Sequence, residues 1–388
     1  MKKTLIYLTF LCFPALTFGA TPLENAVNLI KDVKTATAPD ARQAVYDVTA
    51  VADKDGDIVL TGDISEKASY NALVKAMENN GISYKDSLTI LPDDEWAQVR
   101  LSAASLRGAG RHSAEMVTQG IMGMPLRVLS KGSEWWRVQT PDGYISYVPS
   151  SSVVSKTADE LNAWRNSNRV IVTSPYQTRV YTSPTADGLR DVVSDVVLGN
   201  ILVALSETPE NGRIAVELPD GRKGFINKDA VESMDKWAQQ NFNPDQILDI
   251  AYSMEGTPYL WGGTSVKALD CSGLAKVSYF SNGLILMRDA SQQALTGTRI
   301  EAKDWRTCEP GDLLFFGNAN TGKVTHVAIY VHDGNYVHSS GRVKRNSVDP
   351  ESPAYLTTPF LHAVRIHGNE GTPGITRVRD HAWYFNQK

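Results

Sequence analysis

The feature of this 388-residue chain that most restricts its fold is an internal repeat between residues 99 and 232. Both copies contain short alternating segments separated by glycine turns. Each copy closes on Pro-Asp-Gly followed by an aromatic residue and valine or isoleucine, at 141–148 and 219–226. Short, evenly spaced strands with Asp-Gly turns are typical of small β-barrels. The repeat therefore predicts two consecutive barrels, with a short helix over 158–166 between them.

The residues before the repeat, 21–98, indicate a separate mixed α/β module. Apolar residues recur at helical spacing between 23 and 34, and two alternating segments flank the turn at 53–56. A second helix is predicted over 65–79. Nothing in this module suggests chemistry.

The first 20 residues have the pattern of an export signal. Two lysines follow Met1, an apolar run continues to Phe18, and the small residues Gly19 and Ala20 provide a cleavage site. The run is too short to span a membrane. We therefore expect an exported protein, periplasmic in the first instance, with a secreted or envelope-associated protein as the alternatives. With a net charge of −4 and no basic tract, nucleic acid is not an expected partner.

The candidate chemistry begins at the segment Asp270-Cys271-Ser272-Gly273, which precedes a helix-like run of small residues. A helix start favours the thiolate, so a depressed pKa is expected for Cys271. A thiolate with a histidine base is sufficient for acyl transfer. Cys308, the other cysteine beyond the export signal, is expected to be a partly buried free thiol.

Two histidines, His326 and His338, lie on consecutive predicted strands joined at residues 332–334. A three-residue loop with its glycine in the left-handed region would pair Val331 with Asn335. The two histidines would then be diagonal neighbours on one face of the hairpin. A two-residue turn would place them on opposite faces. We predict the three-residue loop, with His326 as the base and His338 as the group that orients it.

The order of elements after residue 238, helices first and an antiparallel sheet afterwards, predicts an α+β domain with a papain-like arrangement. The backbone N–H of Cys271 and the Tyr259 hydroxyl are candidate oxyanion donors. The histidines lack cysteine or carboxylate partners at metal-ligand spacing, so no zinc site is expected.

Six segments of this domain together resemble the NlpC-type cell-wall cysteine peptidases, a papain-like family. They are Pro258–Gly263, Asp270–Gly273, Arg288–Gln293, Pro310–Phe316, His326–Tyr330 and Tyr336–His338. The resemblance implies hydrolysis of peptidoglycan stem peptides between γ-linked D-glutamate and a diamino acid. It also implies Cys271, His326 and His338 as the catalytic residues, without a metal or organic cofactor.

Each copy of the repeat resembles a bacterial SH3-like domain, which predicts such domains at 99–156 and 168–234, ahead of a peptidase domain at 238–388. This order resembles the γ-D-glutamyl-L-diamino acid endopeptidases of muropeptide recycling. In that group a glutamate and a tyrosine of the first SH3-like domain recognise the free amine of an N-terminal L-alanine. The glutamate corresponds to Glu115, for which a solvated loop charge is the alternative.

The tyrosine corresponds to Tyr144 or Tyr147. Tyr147 aligns with Phe225 in the repeat, which favours a core position, whereas Tyr144 aligns with Arg222. We therefore favour Tyr144 without excluding Tyr147.

In the peptidase domain the resemblance implies further substrate contacts, with one loop facing the α-carboxylate of D-glutamate. Ordinary packing is the alternative for the two aromatic residues among them, and helix capping is the alternative for the first aspartate. The residues are Tyr259, Trp261, Asp270 and Ser272, and in the loop Arg288, Asp289 and Ser291.

The sequence thus predicts a monomeric, exported hydrolase of peptidoglycan-derived peptides that prefers a free N-terminal alanine and acts through a Cys271 thioester. One alternative is a DL-endopeptidase that acts on intact peptidoglycan. The other is a cell-wall binding protein in which the SH3-like pair makes the functional contact.

Overall fold

The computed structural model describes residues 19–386, which divide into two compact units, one up to Asp93 and one from Asp94 onward. Residues 1–18 of the predicted export signal lie outside the described residues. Within the described range, no helix combines the length and the apolar character needed to cross a membrane.

The first unit is a three-stranded sheet with two helices against it. The order is β1-β2-β3, antiparallel and then parallel, because α2 provides the crossover between β2 and β3. The apolar residues at helical spacing in α1, such as Leu29 and Val33, are buried in one cluster with Leu60 and Leu73. The elements are α1 (Pro22–Thr37), β1 (Tyr46–Ala52), β2 (Ile58–Ile64), α2 (Lys67–Asn79) and β3 (Lys85–Ile90).

The second unit begins with a seven-stranded antiparallel sheet, ordered β10-β4-β7-β8-β9-β5-β6, which curls around an apolar core. Its strands are β4 (Trp96–Val99), β5 (Ala103–Arg107), β6 (Met116–Ile121), β7 (Pro125–Lys131), β8 (Trp135–Gln139), β9 (Ile145–Pro149) and β10 (Val153–Lys156). The module boundary predicted at residue 98 falls inside β4. That strand is only four residues long and is defined by pairing with the distant β7 and β10, which local periodicity does not reveal.

Helix α3 (Ala158–Arg165) leads into a second sheet of the same design. Its order, β13-β12-β16-β15-β14-β11-β17, is the order of the first sheet read from the other edge, strand for strand. The sequence repeat is therefore a repeat of topology. The strands are β11 (Arg169–Val172), β12 (Thr178–Tyr181), β13 (Val192–Val196), β14 (Ile201–Ala204), β15 (Arg213–Glu217), β16 (Lys223–Asn227) and β17 (Val231–Ser233).

The C-terminal part is the predicted α+β domain, with helices first and a six-stranded antiparallel sheet afterwards. The sheet order is β21-β26-β22-β23-β24-β25. The helices are α4 (Met234–Ala238), α5 (Pro244–Ser253), α6 (Cys271–Ser281) and α7 (Ala290–Gln293). The strands of the sheet are β21 (Thr298–Glu301), β22 (Leu313–Gly317), β23 (Val324–Tyr330), β24 (Asn335–Ser340), β25 (Arg342–Ser347) and β26 (Phe360–Arg365). Short pairs complete the domain: β18 (Thr264–Ser265) with β19 (Ala268–Leu269), and β20 (Leu284–Leu286) with β27 (Ile375–Arg377).

Helix α6 is the element that positions the candidate site. It is buried along most of its length and shares one core cluster with β22, β23 and β24. Its first residue therefore lies against the strands that carry the two histidines.

Candidate active site

Cys271 is the first residue of α6 and is only 8% exposed. Asp270 caps the helix, because its Oδ1 accepts the backbone N–H of Gly273 at 2.7 Å. Burial raises the pKa of Cys271 to about 11, and the charge of Asp270 adds to this effect. Backbone N–H groups of Val327 and Ser272 act in the opposite direction but less strongly. The depressed pKa expected from the helix start is therefore wrong for the substrate-free protein, because removal from water outweighs the helix terminus.

The loop 259–263 lies over the start of α6. The N–H of Gly262 donates to Oδ2 of Asp270 at 2.9 Å, and a Cβ on Gly273 would overlap the carbonyl oxygen of Gly263. The glycines of the two motifs therefore permit a contact between backbones that a larger residue would prevent.

The two aromatic residues of this loop differ in environment. Burial raises the pKa of the Tyr259 hydroxyl, and the charges of Cys271 and Asp270 add to this effect. Trp261 is 59% exposed. Core packing, the alternative for both residues, thus does not account for Trp261.

The two histidines meet as the hairpin register predicts. Ile329 pairs with Val337, Val331 donates to Asn335 at 2.8 Å, and the φ of Gly334 is +78°. Nε2 of His326 lies 2.7 Å from Nδ1 of His338. The odd-numbered loop is confirmed, and with it the common face of the two rings.

Both imidazoles are held neutral. Burial lowers the pKa of His326 to about 3, with His338 and Lys344 adding to the effect. Burial also lowers the pKa of His338 to about 4, although its hydrogen bond to Asn346 opposes this. A buried thiol beside neutral imidazoles is suited to proton transfer during attack rather than to a resting ion pair.

A buried ion pair lies beneath the helix start. Arg288 is 1% exposed, and its Nη2 donates to Oδ2 of Asp270 at 2.6 Å while Nη1 donates to Ser272 Oγ at 2.8 Å. The structure thus places Arg288 behind Asp270 and Ser272, away from solvent, which differs from the predicted direct contact with a carboxylate. Of the other two loop residues, Ser291 is exposed and Asp289 is half-buried.

The first barrel packs against this side of the peptidase domain. The backbone N–H and C=O of Gln119 both bond to Oγ1 of Thr264, and its side chain accepts from the Thr264 N–H at 2.9 Å. Gly262 lies so close to the backbone of Met116 that a Cβ there would overlap it. Glu115, the residue before Met116, is exposed and adjoins this contact along the chain.

The two candidate tyrosines also lie in different environments. Tyr144 is 8% exposed, and its hydroxyl interacts electrostatically with Arg288 of the peptidase domain. Tyr147 is half-buried in β9, paired with Arg107 and beneath the guanidinium of Arg137. Tyr144 is thus the more deeply buried of the two and interacts with a residue of the peptidase domain.

Cys308 is buried and free, as expected, and burial raises its pKa to about 12. Between residues 19 and 386, no three histidine, cysteine or acidic side chains gather as a metal-binding group.

Three contributors to the site were not predicted from the sequence. Gln119 forms the junction between domains, Lys276 of α6 pairs with Asp142 of the first barrel, and Asn346 bonds to His338. The only local signal for the last was Gly341, a turn residue that could have predicted the strand β25.

Comparison with known proteins places this geometry in a family. The NlpC/P60 family model matches residues 256–365, and the model of the bacterial dipeptidyl-peptidase SH3 domain matches residues 106–153.

Curated relatives match well over half of the chain. Dipeptidyl-peptidase 6 of Lysinibacillus sphaericus is 30% identical over 252 residues, which cover 62% of this chain and 88% of that protein. The γ-D-glutamyl-L-lysine dipeptidyl-peptidase of Bacillus cereus is 28% identical over 62% of this chain and 73% of its own length.

Among solved structures, an NlpC/P60 family protein from Bacillus cereus superposes with a TM-score of 0.59 at 24% identity. The match covers 70% of this chain and 99% of that one. The likeness shows a shared fold over this part of the chain. With a cysteine at a helix start, a histidine pair on the adjacent sheet and these relatives, the chain belongs to the NlpC/P60 family of cysteine peptidases.

Proposed function

We propose that this protein is an endopeptidase that hydrolyses the γ-D-glutamyl-L-diamino acid bond of peptidoglycan stem peptides. The observation that carries the proposal is the 2.7 Å contact between His326 and His338, on strands packed against the helix that Cys271 begins. The names of the relatives, which specify γ-D-glutamyl-L-lysine dipeptidyl-peptidases, support the choice of bond.

In the proposed reaction Cys271 is the nucleophile and His326 the base. His326 takes the thiol proton as sulfur attacks the γ-carbonyl of D-glutamate, and then delivers it to the leaving amine as the C–N bond breaks. The N–H of Cys271, which has no acceptor within the helix, and the Tyr259 hydroxyl stabilise the oxyanion. Water, activated by His326, hydrolyses the thioester and releases L-Ala-γ-D-Glu.

The acyl part of the substrate lies, in this proposal, between the loop 259–263 and the first barrel. The carboxylate of Glu115 and the Tyr144 side chain recognise the ammonium group of a free N-terminal L-alanine, with Tyr147 as the less favoured tyrosine. A carboxylate that faces a partly desolvated ammonium rejects an acylated amine strongly. The contact of Met116 with Gly262 supports this arrangement, because it holds Glu115 at the edge of the loop.

Residues on both sides of Cys271 complete the proposed subsite. Trp261 offers an exposed indole face, and the Ser291 hydroxyl donates to the D-glutamate α-carboxylate from the loop. Asp289, at the N-terminus of α7, positions this loop. Asp270, Ser272 and Arg288 form the buried base that holds this surface in position.

Since the family acts on the cell wall, we also propose an extracytoplasmic location. The periplasm is the compartment that best fits small peptide substrates. The monomeric state is part of the same proposal.

The test is mass spectrometry of the mature protein with L-Ala-γ-D-Glu-meso-diaminopimelate, its lysine analogue and the N-acetylated form of each. We expect cleavage of the free-amine peptides only, and none by Cys271→Ala. Equal cleavage of both forms would remove the role given to Glu115. Cleavage of intact sacculi but not of free peptides would favour the DL-endopeptidase, and sacculus binding without turnover would favour a binding protein.

A further inference from the structure

Asn346 extends the histidine pair by one residue. It is half-buried on β25, two positions beyond Lys344, the cross-strand partner of His338. Its Oδ1 lies 3.0 Å from Nε2 of His338, and its Nδ2 donates to the backbone carbonyl of Ala354 at 2.9 Å. A continuous chain of hydrogen bonds thus runs from His326 through His338 and Asn346 to the main chain.

The chain has one consistent set of donors. The Ala354 carbonyl can only accept, so the Asn346 amide must present its NH2 group to it and its oxygen to His338. The oxygen accepts the Nε2–H of His338, which leaves a lone pair on Nδ1 of that neutral ring. That lone pair accepts the Nε2–H of His326, so Nδ1 of His326 remains unprotonated.

We propose that Asn346 is a positioning residue that sets the tautomer of His326 through His338 and so keeps Nδ1 of His326 available as the base for Cys271. This inference rests on the proposed function, since it assumes that His326 takes the thiol proton. Asn346 makes no contact with the reacting atoms in this scheme. Among the three side chains in this series of hydrogen bonds, Asn346 alone has a fixed donor at one end and a fixed acceptor at the other. An amide does not exchange its proton between the two ends as an imidazole can.

An amide suits this position better than a carboxylate. A carboxylate would stabilise the imidazolium form of His338, whose Nδ1–H would then point at Nε2 of His326 and move the proton of that ring to Nδ1. The base would be lost while every heavy atom stayed in place. The other charged or titratable groups around the pair are Lys344 on β25, Tyr336 beside His338 on β24, and Asp270 at the cap of α6. The positive charge of Lys344 opposes protonation of both rings. Asn346 is uncharged and does not counteract this effect.

The first arm of the test measures kinetics of the full-length mature enzyme on the free-amine tripeptide between pH 4 and 9. For Asn346→Asp we expect the acid limb of the kcat/KM profile to move upward by about 1–3 pH units, with activity recovering as His338 loses its extra proton. For Asn346→Leu we expect kcat to fall at least about tenfold with little change in KM. Asn241→Asp, which adds the same charge at an exposed position outside the site, should leave the profile unchanged.

The second arm does not depend on turnover. In ¹⁵N spectra of the substrate-free wild-type protein, both rings should be Nε2-protonated, and in Asn346→Leu this preference should be lost. A wild-type His326 protonated on Nδ1 would overturn the inference, as would an Asn346→Asp profile that matches wild type. Correct tautomers in an enzyme that cleaves neither tripeptide would reject the proposed function instead and leave the positioning role intact.

Discussion

At the scale of single residues, the state of Cys271 is decided by a competition between two effects of known size. A helix terminus contributes roughly 0.3–1 kcal/mol to a nearby charge, which is less than one pKa unit. Complete burial can shift a pKa by about 3–5 units in the other direction. With 8% of its surface exposed, Cys271 is governed by burial, and its pKa rises to about 11.

This predicts the pH dependence of alkylation. Because the thiolate is the reactive form, the rate of Cys271 modification by iodoacetamide should rise about tenfold per pH unit from pH 6 to 9, without a plateau. The rate is measured by mass spectrometry of the Cys271 peptide, with Cys271→Ala reporting the background from Cys308. A plateau below pH 7, typical of a thiolate–imidazolium pair, would contradict the neutral resting state.

At the scale of elements, the β8–β9 turn of the first barrel is joined to the middle of α6. Asp142 in the turn and Lys276 in the helix form an ion pair whose side chains are 6% and 16% exposed. Lys276 also donates to the carbonyl of Leu286 at 2.8 Å, and Thr140 donates to Asp142. The pair connects the turn that precedes Tyr144 to the helix that begins at Cys271.

Replacing one partner of a buried ion pair lowers the free energy of unfolding more than replacing both partners, because the remaining charge is left without compensation. Lys276→Met alone should lower the free energy of unfolding by about 3–5 kcal/mol, and Asp142→Leu with Lys276→Met should recover most of the loss. Urea unfolding monitored by tryptophan fluorescence measures both. The exposed pair of Lys223 with Glu217 is the control, since Lys223→Met should cost about 1 kcal/mol or less. Equal losses in the single and double variants would show that packing, not charge, holds the junction.

At the scale of the whole second unit, both barrels brace the same helix. The first contacts α6 through the ion pair of Asp142 with Lys276, and it contacts the nearby strand β18 through Gln119 and Thr264. The second approaches α6 at Gly199, where a Cβ would collide with Phe280, and it bonds to the first barrel through Asn200 and Ser102 at 3.0 Å. The first barrel is therefore held from two sides, which suits it to limit what can enter beside Cys271.

If the first barrel reads the substrate amine, selectivity should depend on one charge. Glu115→Gln should reduce the ratio of kcat/KM for the free-amine tripeptide over its N-acetylated form by about 10–100-fold. Most of the loss should fall on the free-amine substrate. Glu134→Gln, at another exposed glutamate of the same barrel, should keep the wild-type ratio. An unchanged ratio in Glu115→Gln would assign amine recognition to another group.

Much of the fold could be read from local patterns. The repeat at 99–232 predicted two consecutive barrels, which the structure shows as two sheets with the same strand order. The loop at 332–334 predicted the register that brings His326 to His338. The boundary at residue 98 was misplaced because β4 is too short to display a period and exists through pairing with strands far along the chain.

What the amino-acid order determines here is periodicity, turn chemistry and the choice of candidate reacting side chains, because each is read from neighbours within a few residues. Only the tertiary structure decided four other features. They are the pKa of Cys271, the burial of Arg288 behind Asp270, the interaction of Tyr144 with Arg288 and the Asn346–His338 bond. Each depends on how much water and which charges surround a group after elements distant in sequence have packed. Folding places these groups together, and the chemistry of the site follows from that environment.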